Sequence, residues 1–517
     1  MARSLFAIIA TIALLPATAA AQGTLDAALA SRALTPLGES RVIVRTADGA
    51  RADAAIRAAG GRPGRFLRGL GAQVALVPDS ALEKLAARPE VAHVSLDRPV
   101  KGTVDGVTFA ESAGATAIRR QLGFDGNGVG VAIVDSGVVN WHDDLGDGTV
   151  VHFVDFVNDL LLPYDDFGHG THVAGIIAGS GYDSGGARRG VAPGARLVVL
   201  KVLDSTGNGH ISNVIAAIDY AVEHRAQFNI RIINLSVAAG VHESYEVDPL
   251  TLAAKRAVDA GIVVITAAGN LGRSAAGVVQ PGSITSPGNA PWVLTVGATN
   301  DRGTAIRSDD TLAPFTSRGP THIDGFMKPD IVAPGVGIES LADPNSTLYA
   351  INPDARLPGT VQTATMPYLR LTGTSMAAPV VAGTVALMLE ANPDLTPNLV
   401  KAILQYTAER RSRYDTTAQG AGFLNARGAV QLALQLAGKT VAPAAADPTR
   451  WSRQLVWGNT LIRGGIITAG ANAWDLGVVW GQALTPDGDP VTFGVVADSD
   501  ERWTFKPAAA VMGEREY

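Results

Sequence analysis

Three short segments of this 517-residue chain each finish a structure-forming run with a side chain able to join in covalent catalysis. Val131-Ala132-Ile133-Val134-Asp135-Ser136-Gly137 sets a carboxylate just past an apolar strand, and Gly168-His169-Gly170-Thr171-His172-Val173-Ala174-Gly175 sets an imidazole at the opening of a helix of small residues. Gly373-Thr374-Ser375-Met376-Ala377-Ala378-Pro379 sets a hydroxyl at the N-terminus of a second apolar helix. A serine hydroxyl is a poor nucleophile until a neighbouring base takes its proton, and that base needs a third group to orient it. Ser375, His169 and Asp135 supply those three roles. Free N–H groups and the positive dipole end of the Ser375 helix favour a developing oxyanion, and a fourth segment, Thr266-Ala267-Ala268-Gly269-Asn270, ends a core strand with an amide that can meet it. Taken singly, Ser375 reads as a helix cap and Asp135 as a turn former after a strand. The four segments together read as acyl transfer.

Other patterns carry less. His172 makes an i, i+3 pair with His169 that could hold zinc, but no Glu lies between them and no third ligand is evident, so a packed, hydrogen-bonded histidine is the expectation. Gly126-Asn127-Gly128-Val129-Gly130 precedes its strand, whereas a phosphate-binding loop follows one and opens a helix. Asp125, Asn127 and Gly130 faintly match a calcium loop, yet Ser136 stands where an EF-hand needs its bidentate Glu.

The catalytic segments need a scaffold. From about 126 to 435 the pattern alternates strand and helix, with strands such as Val131–Val134, Leu197–Val202 and Ile262–Ile265 apolar on both faces, as in a parallel sheet covered by helices. Ile211, Val214, Ile215, Ile218 and Val222 recur at helical spacing, as do Leu250, Ala254, Ala257 and Val258 before Gly261, and Thr396-Pro397 opens a further helix. The fold class is α/β of doubly wound character. Ahead of it lies a small α+β domain: strand Arg41–Arg45, helix Ala52–Ala59, strand Ala72–Val77, helix Ser80–Ala87 with Ser80 as N-cap, and strand Val91–Leu96. Beyond an Ala/Pro-rich stretch, Val441–Pro448, Val456-Trp457-Gly458 recurs as Val479-Trp480-Gly481, which suggests a small β-rich appendage.

Arg3, the apolar run Leu5–Leu15 and Ala19-Ala20-Ala21 fit a secretory signal cleaved before Gln22, and the run is shorter than the roughly 20 residues a bilayer span needs. The expected product is secreted, extracellular or periplasmic, with no stable membrane insertion after signal removal. Hydrophobic residues at 47% and charged ones at 17% describe a globular protein rather than a disordered one. A formal net charge of −6 without a Lys/Arg run argues against nucleic acid as a partner. No Cys is present, which excludes disulfides, thiolate metal sites and a Cys nucleophile.

Asp135-Ser136-Gly137, His169 to Gly175, Ala268-Gly269-Asn270 and Gly373 to Ala377 resemble the subtilase signatures, in the Asp, His, Ser order known for subtilisin. Gly190–Ala195, Asn234-Leu235-Ser236, Ser317–Pro320 and Lys328–Gly335 add to a match over about 110–435. The resemblance implies a mostly parallel seven-stranded sheet between helices, with a catalytic triad of Asp135, His169 and Ser375 and an oxyanion hole at Asn270. It divides the chain into a signal peptide (1–21), an inhibitory propeptide (22–105), a peptidase domain (106–438) and a linker with a Trp/Gly-rich extension (439–517). Substrate would pair as an added strand between Gly207-Asn208-Gly209 and Ser236-Val237-Ala238. The P1 pocket would be floored by Ala267 to Asn270, including Ala268 and Gly269, and by Ser283–Ser286; none is charged, so neutral or apolar P1 residues are expected.

Protein or peptide substrates and the chain's own propeptide are the expected partners of a monomer, and no cofactor is required for the chemistry. A structural calcium is compatible with the family near Asp144, but the segment Gly179–Gly190 that should complete the site differs in length and is glycine-rich, so the metal ligands stay unassigned. Two alternatives remain: a catalytically silent scaffold that binds through its Trp-rich tail, against which the complete catalytic set argues, and a peptidase dedicated to maturing one exported partner.

Overall fold

The structure is a computed structural model that describes residues 24–96 and 109–439 apart from a few positions, 448–464 apart from one, and short stretches at 467, 482–484 and 490–492. The expected signal peptide (1–21), the expected junction between propeptide and peptidase domain, most of the expected linker and the second Val-Trp-Gly copy lie outside the described residues. The chain divides into two compact units, Met1–Thr103 and Val104–Tyr517.

In the first unit a five-stranded sheet runs in the order Thr24–Leu25, Val91–Leu96, Glu39–Thr46, Ala72–Pro78, Arg62–Leu67. Along Glu39–Thr46 burial alternates residue by residue, because successive side chains of a strand face opposite ways. Val42 and Val44 meet Ile56, Leu82 and Leu85 from the helices Asp53–Ala58 and Leu82–Ala86. Ser80 does not cap the second helix. A 3-10 turn, Asp79–Ala81, precedes it and puts Ala81 at the cap, while the Asp79 carboxylate takes the Ser40 hydroxyl at 2.6 Å. The strand Arg62–Leu67 escapes sequence reading because Pro63-Gly64 breaks its pattern; the register slips between Pro63 and Phe66.

The second unit is built on an eight-stranded sheet. Seven strands are parallel: Val150–Asp155, Arg196–Lys201, Gly130–Asp135, Ile230–Leu235, Val263–Ala267, Leu294–Asn300 and Ile331–Pro334, and only the two-residue strand Thr311–Leu312 runs antiparallel. The expected α/β fold with a mostly parallel sheet between helices is the fold observed, with eight strands in place of the expected seven because Thr311–Leu312 adds a short antiparallel edge. Val131 and Ile133 pack into one core with the helices His169–Ala178 and Thr374–Ala391, while Ala132 and Val134 pack into the other with Ile211–Glu223 and Pro249–Asp259. Burial on both faces is why these strands read as unbroken apolar runs.

Thr374–Ala391 is apolar and long enough to cross a membrane, but 89% of it is buried here and it serves as a core helix. Thr396 caps Pro397–Thr407, accepting from Leu399 N at 3.2 Å as its sequence suggests. The first Val-Trp-Gly copy does not stand apart. It forms the hairpin Gln454–Trp457 with Thr460–Arg463, and Leu455, Val456 and Trp457 are buried in the larger core. Gln405 holds it by accepting from Val456 N at 2.6 Å, so 448–464 folds with the unit that carries the catalytic segments.

Candidate active site

Asp135 ends the central strand. The two strands next in sequence lie on one side of it and the five after them on the other, so its carboxyl end is a point where connections diverge and a crevice forms. The Asp135 side chain is fully buried, and its Oδ1 accepts His169 Nδ1–H at 2.7 Å and Ser136 N–H at 2.8 Å. That bond fixes the tautomer and leaves His169 Nε2 as the acceptor. The His169 side chain keeps 14% exposure, enough for one ring edge to meet a substrate. Burial disfavours the imidazolium, but the Asp135 charge and hydrogen bond outweigh it and hold the His169 pKa above the ordinary histidine value.

A second set of contacts explains why His169 stands there. The buried Asp165 carboxylate accepts Ser136 Oγ (2.7 Å), Gly168 N (2.8 Å) and Thr171 N (2.7 Å), which places an anion at the N-terminus of the His169 helix. Gly137 and Gly170 interlock: a Cβ on Gly170 would lie 2.2 Å from the Gly137 carbonyl oxygen, and Gly137 itself has φ +123°. Lys201, buried and in register with Asp135, donates to Ser136 O (2.6 Å), Asp166 Oδ1 (2.6 Å) and Leu203 O (2.8 Å). It thereby ties the Asp135 turn, the approach to His169 and the start of the 203–209 loop together.

Ser375 sits in the first turn of Thr374–Ala391 and is half-buried. Its Oγ donates to Ser236 O at 3.0 Å rather than bonding His169, while Ser236 Oγ donates to Ser375 O at 2.9 Å. Asn270 is exposed, and its Oδ1 accepts both Thr374 N (2.9 Å) and Thr374 Oγ1 (3.0 Å). With the oxygen held inward, the amide N–H groups of Asn270 are the end left to meet a ligand.

The other expected binding residues border these groups. Asp204 Oδ1 accepts Thr206 N and Asn208 N in a tight turn, and Gly207, at φ +80°, leaves no room for a Cβ beside the Phe167 ring. This sets Gly207-Asn208-Gly209 on the His169 side. Ser236-Val237-Ala238 lies on the Ser375 side, with Ala238 exposed and Ala239 paired to Ser286. Thr285 N donates to Ala268 O at 3.2 Å, so the segments around Ala268-Gly269 and Ser283–Ser286 adjoin. Sequence reading missed Asp165, Lys201 and Thr374. A lysine inside the apolar run Leu197–Val202 was the signal that could have found Lys201.

His172 is fully buried, with Nε2 donating between Leu369 O (3.0 Å) and Ile338 O (3.2 Å), and burial beside His169 pushes its pKa down to about 3. It is a packed histidine, as expected. Near Asp144 the structure gathers His142, Asp144 and Asp183, with ligand atoms within 4.8 Å of one another. Calcium takes six to eight oxygens, whereas here one donor is an imidazole nitrogen and both Asp144 oxygens already accept, from Asp183 N (2.8 Å) and Tyr368 OH (2.8 Å). The cluster does not fit calcium.

The chain is similar to proteins of a known family. The Subtilase family matches residues 126–430. Serine protease AprX of Bacillus subtilis (strain 168) is 40% identical over 360 residues, covering 68% of this chain and 78% of that protein. Subtilisin E of the same organism is 32% identical over 373 residues, covering 72% and 84%. A solved cold-adapted subtilisin-like serine proteinase shares 30% identity and superposes with a TM-score of 0.44, covering 59% of this chain and 90% of its own. The molecule is a serine protease. The chain belongs to the subtilase family.

Proposed function

We propose that this subtilase is a secreted serine endopeptidase, made as a precursor and matured by its own activity. The observation that carries the reading is the 2.7 Å bond from His169 to the buried Asp135, taken with Ser375 in the first turn of a core helix. Ser375 Oγ turns from Ser236 O to His169 Nε2 when substrate arrives, since catalytic hydrogen bonds in free enzymes are commonly loose. His169 then takes its proton as Oγ attacks the peptide carbonyl, and Asp135 stabilises the imidazolium. The oxyanion lies against the Ser375 helix N-terminus and the Asn270 amide. The leaving amine takes the proton back from His169, and water resolves the acyl-enzyme by the same route. The chemistry uses only side chains and water.

Residues 22–105 serve as the inhibitory propeptide and 1–21 as the export signal, in a chain that works as a monomer. Substrate pairs with 207–209 and 236–238, and its P1 side chain meets a floor of Ala268, Gly269 and neighbouring uncharged residues, which favours neutral or apolar groups. Three observations support this part: the α+β unit at the N-terminus, the small-residue cleavage pattern at Ala19–Ala21 and the hydrogen bonds joining the pocket segments. Structural calcium at Asp144 is not part of the reading, because the donors there do not suit it.

The test is a Ser375→Ala precursor expressed and purified free of other proteases, beside wild-type protein digested against a peptide library with N-terminal sequencing. The variant should stay full length after signal removal while wild type converts and cleaves after neutral residues. Processing of the variant at the wild-type position would overturn the assignment.

A further inference from the structure

His169 is the first residue of the helix His169–Ala178, a poor place for a base that must carry a proton during turnover. Free N–H groups and the positive dipole end at a helix N-terminus oppose an imidazolium. One turn on, burial and the neighbouring His169 drive the His172 pKa down to about 3. Burial works against His169 as well, yet Asp135 and, after it, the charge of Asp165 lift its pKa above the ordinary value. A second anion therefore acts on the base, and it stands outside the triad.

Gly168 caps this helix with φ +96°, and a Cβ there would lie 2.3 Å from Ser346 Oγ, so the usual capping side chain has no room. Asp165 caps from outside. Its Oδ1 accepts Gly168 N–H at 2.8 Å and its Oδ2 accepts Thr171 N–H at 2.7 Å. Ser136 Oγ donates to Asp165 Oδ1 at 2.7 Å and accepts Gly170 N–H at 2.9 Å. Ser136 N–H donates to Asp135 Oδ1, the same oxygen that takes His169 Nδ1–H. The pair thus grips the backbone on both sides of His169 and is tied to the carboxylate that orients its ring. Asp165 is 1% exposed, and Ser136 and Thr171 are 0%, so these bonds are made out of contact with solvent, where an unmade one is costly. Lys201 pairs with the neighbouring Asp166, and among the described residues no Lys or Arg pairs with Asp165, which leaves its charge balanced by N–H and O–H donors alone.

We propose that Asp165 and Ser136 are positioning residues of this peptidase: together they seat His169 for proton transfer, and Asp165 offers a second negative charge to the imidazolium that forms. The inference rests on the reading of His169 as the base. The other charged or titratable groups around it act differently. Asp135 bonds the ring directly, His172 lies neutral one turn along, and Asp166 is paired with Lys201. Asp343, on the segment that packs against 166–168, is pushed toward its neutral form by burial and then by Asp165 and Asp166. Holding and charge can be separated by substitution. Ser136→Ala removes part of the grip and keeps the charge, whereas Asp165→Asn keeps the side chain's shape and removes the charge.

The experiment compares wild type, Asp165→Asn, Ser136→Ala and Asp394→Asn, the last removing an exposed carboxylate outside this network. Each is made as the full chain. Across the range of histidine titration, kcat and KM are measured on a short soluble peptide, per active site labelled with a serine-directed organophosphate. Asp165→Asn should lower kcat at least tenfold with KM within twofold, and should move the acid limb of kcat/KM to lower pH, because an imidazolium that loses an anion gives up its proton more readily. Ser136→Ala should lower kcat at least threefold and leave that limb in place. Asp394→Asn should match wild type. In parallel, histidine-labelled Ser375→Ala protein is titrated by NMR with and without Asp165→Asn, and the His169 signal should titrate at lower pH once Asp165 is neutralised. An acid limb and a His169 titration unmoved by Asp165→Asn, a rise in KM at unchanged kcat, or the same fall from Asp394→Asn would each overturn the proposal. If Asp165→Asn does not fold, Ser136→Ala decides, and an unchanged kcat there counts against the pair. A wild type without an acid limb would remove the reading of His169 as base, and this inference with it.

Discussion

Two buried charge clusters within the family match, one around Asp330 and one around Asp135, are built from similar parts and left in opposite states. Around Asp330 every polar atom is used. Its Oδ1 meets Gln405 Nε2 (3.0 Å) and Lys401 Nζ (2.9 Å), and its Oδ2 meets Thr295 N (2.8 Å) and Lys328 Nζ (2.8 Å). Both lysines spend their remaining protons on the carbonyls of Pro291 and Val293 and on Thr295, and the Trp457 ring of the C-terminal hairpin lies 5.0 Å from Lys401. Burial still pushes Lys328 down to about 7. Around Asp135, Oδ2 has no partner, one imidazole edge faces the crevice and Ser375 is bonded to a backbone oxygen it can leave. Saturation makes an ionic cluster rigid and inert, whereas a cluster short of partners can form new bonds when charge develops in a substrate. Reactivity here follows from what is left unsatisfied.

The comparison can be broken most directly at Asp135→Asn. Where the equivalent change was made in a serine protease triad, kcat fell by about 10⁴ with geometry intact, and a loss of that order is expected here. The remaining activity carries a second signature. His169 must be neutral to act as base, so kcat/KM of wild type rises with pH through a His169 pKa held above the ordinary value of about 6.5. Without the Asp135 charge this acid limb shifts to lower pH. An unshifted limb would mean that another group sets it.

Asp330→Asn should do the reverse. Breaking a buried pair by removing one partner costs about 3–5 kcal/mol, read from urea unfolding in a Ser375→Ala background. Activity per folded molecule of the otherwise wild-type enzyme should stay within about twofold. A large fall in kcat at unchanged stability would show that the two clusters are not separate in function.

At Asn270→Ala the expected loss is about 10²- to 10³-fold in kcat with KM little changed, the range measured for such an asparagine in a subtilisin. Stability should fall by only about 1–3 kcal/mol, the cost of leaving the buried Thr374 N–H and hydroxyl without their Asn270 acceptor. A rise in KM alone would assign it to ground-state binding.

Ala238→Gly probes the crevice wall most gently. The subtilase resemblance implies Gly where this chain reads Ala238 after Ser236-Val237, and one methyl in an apolar pocket is worth roughly 1–3 kcal/mol, or about 10- to 200-fold. Wild type should prefer Leu or Met over Phe or Tyr at P1, and the variant should gain on aromatic substrates far more than on Leu. Equal gains on both would show that the methyl faces away from the pocket.

Sequence alone determined the catalytic residue types, their order and their elements. Asp135, His169 and Ser375 fall at a strand end and two helix starts, and the runs that place them are long, apolar and bounded by glycine, so local periodicity is enough to read them. Two-sided burial likewise made the parallel sheet legible. Local pattern could not show which distant partners meet. Lys201 bridging Ser136, Asp166 and Leu203, and Asp165 joining Ser136 to the His169 helix, follow from strand register and loop closure. The same holds for the hairpin at Gln454–Trp457, which composition set apart behind a linker and packing drew into the core, where its backbone pairs with Gln405. Tertiary structure also gathered His142, Asp144 and Asp183, because side chains from two loops have no spacing to read until the chain has brought them within 4.8 Å.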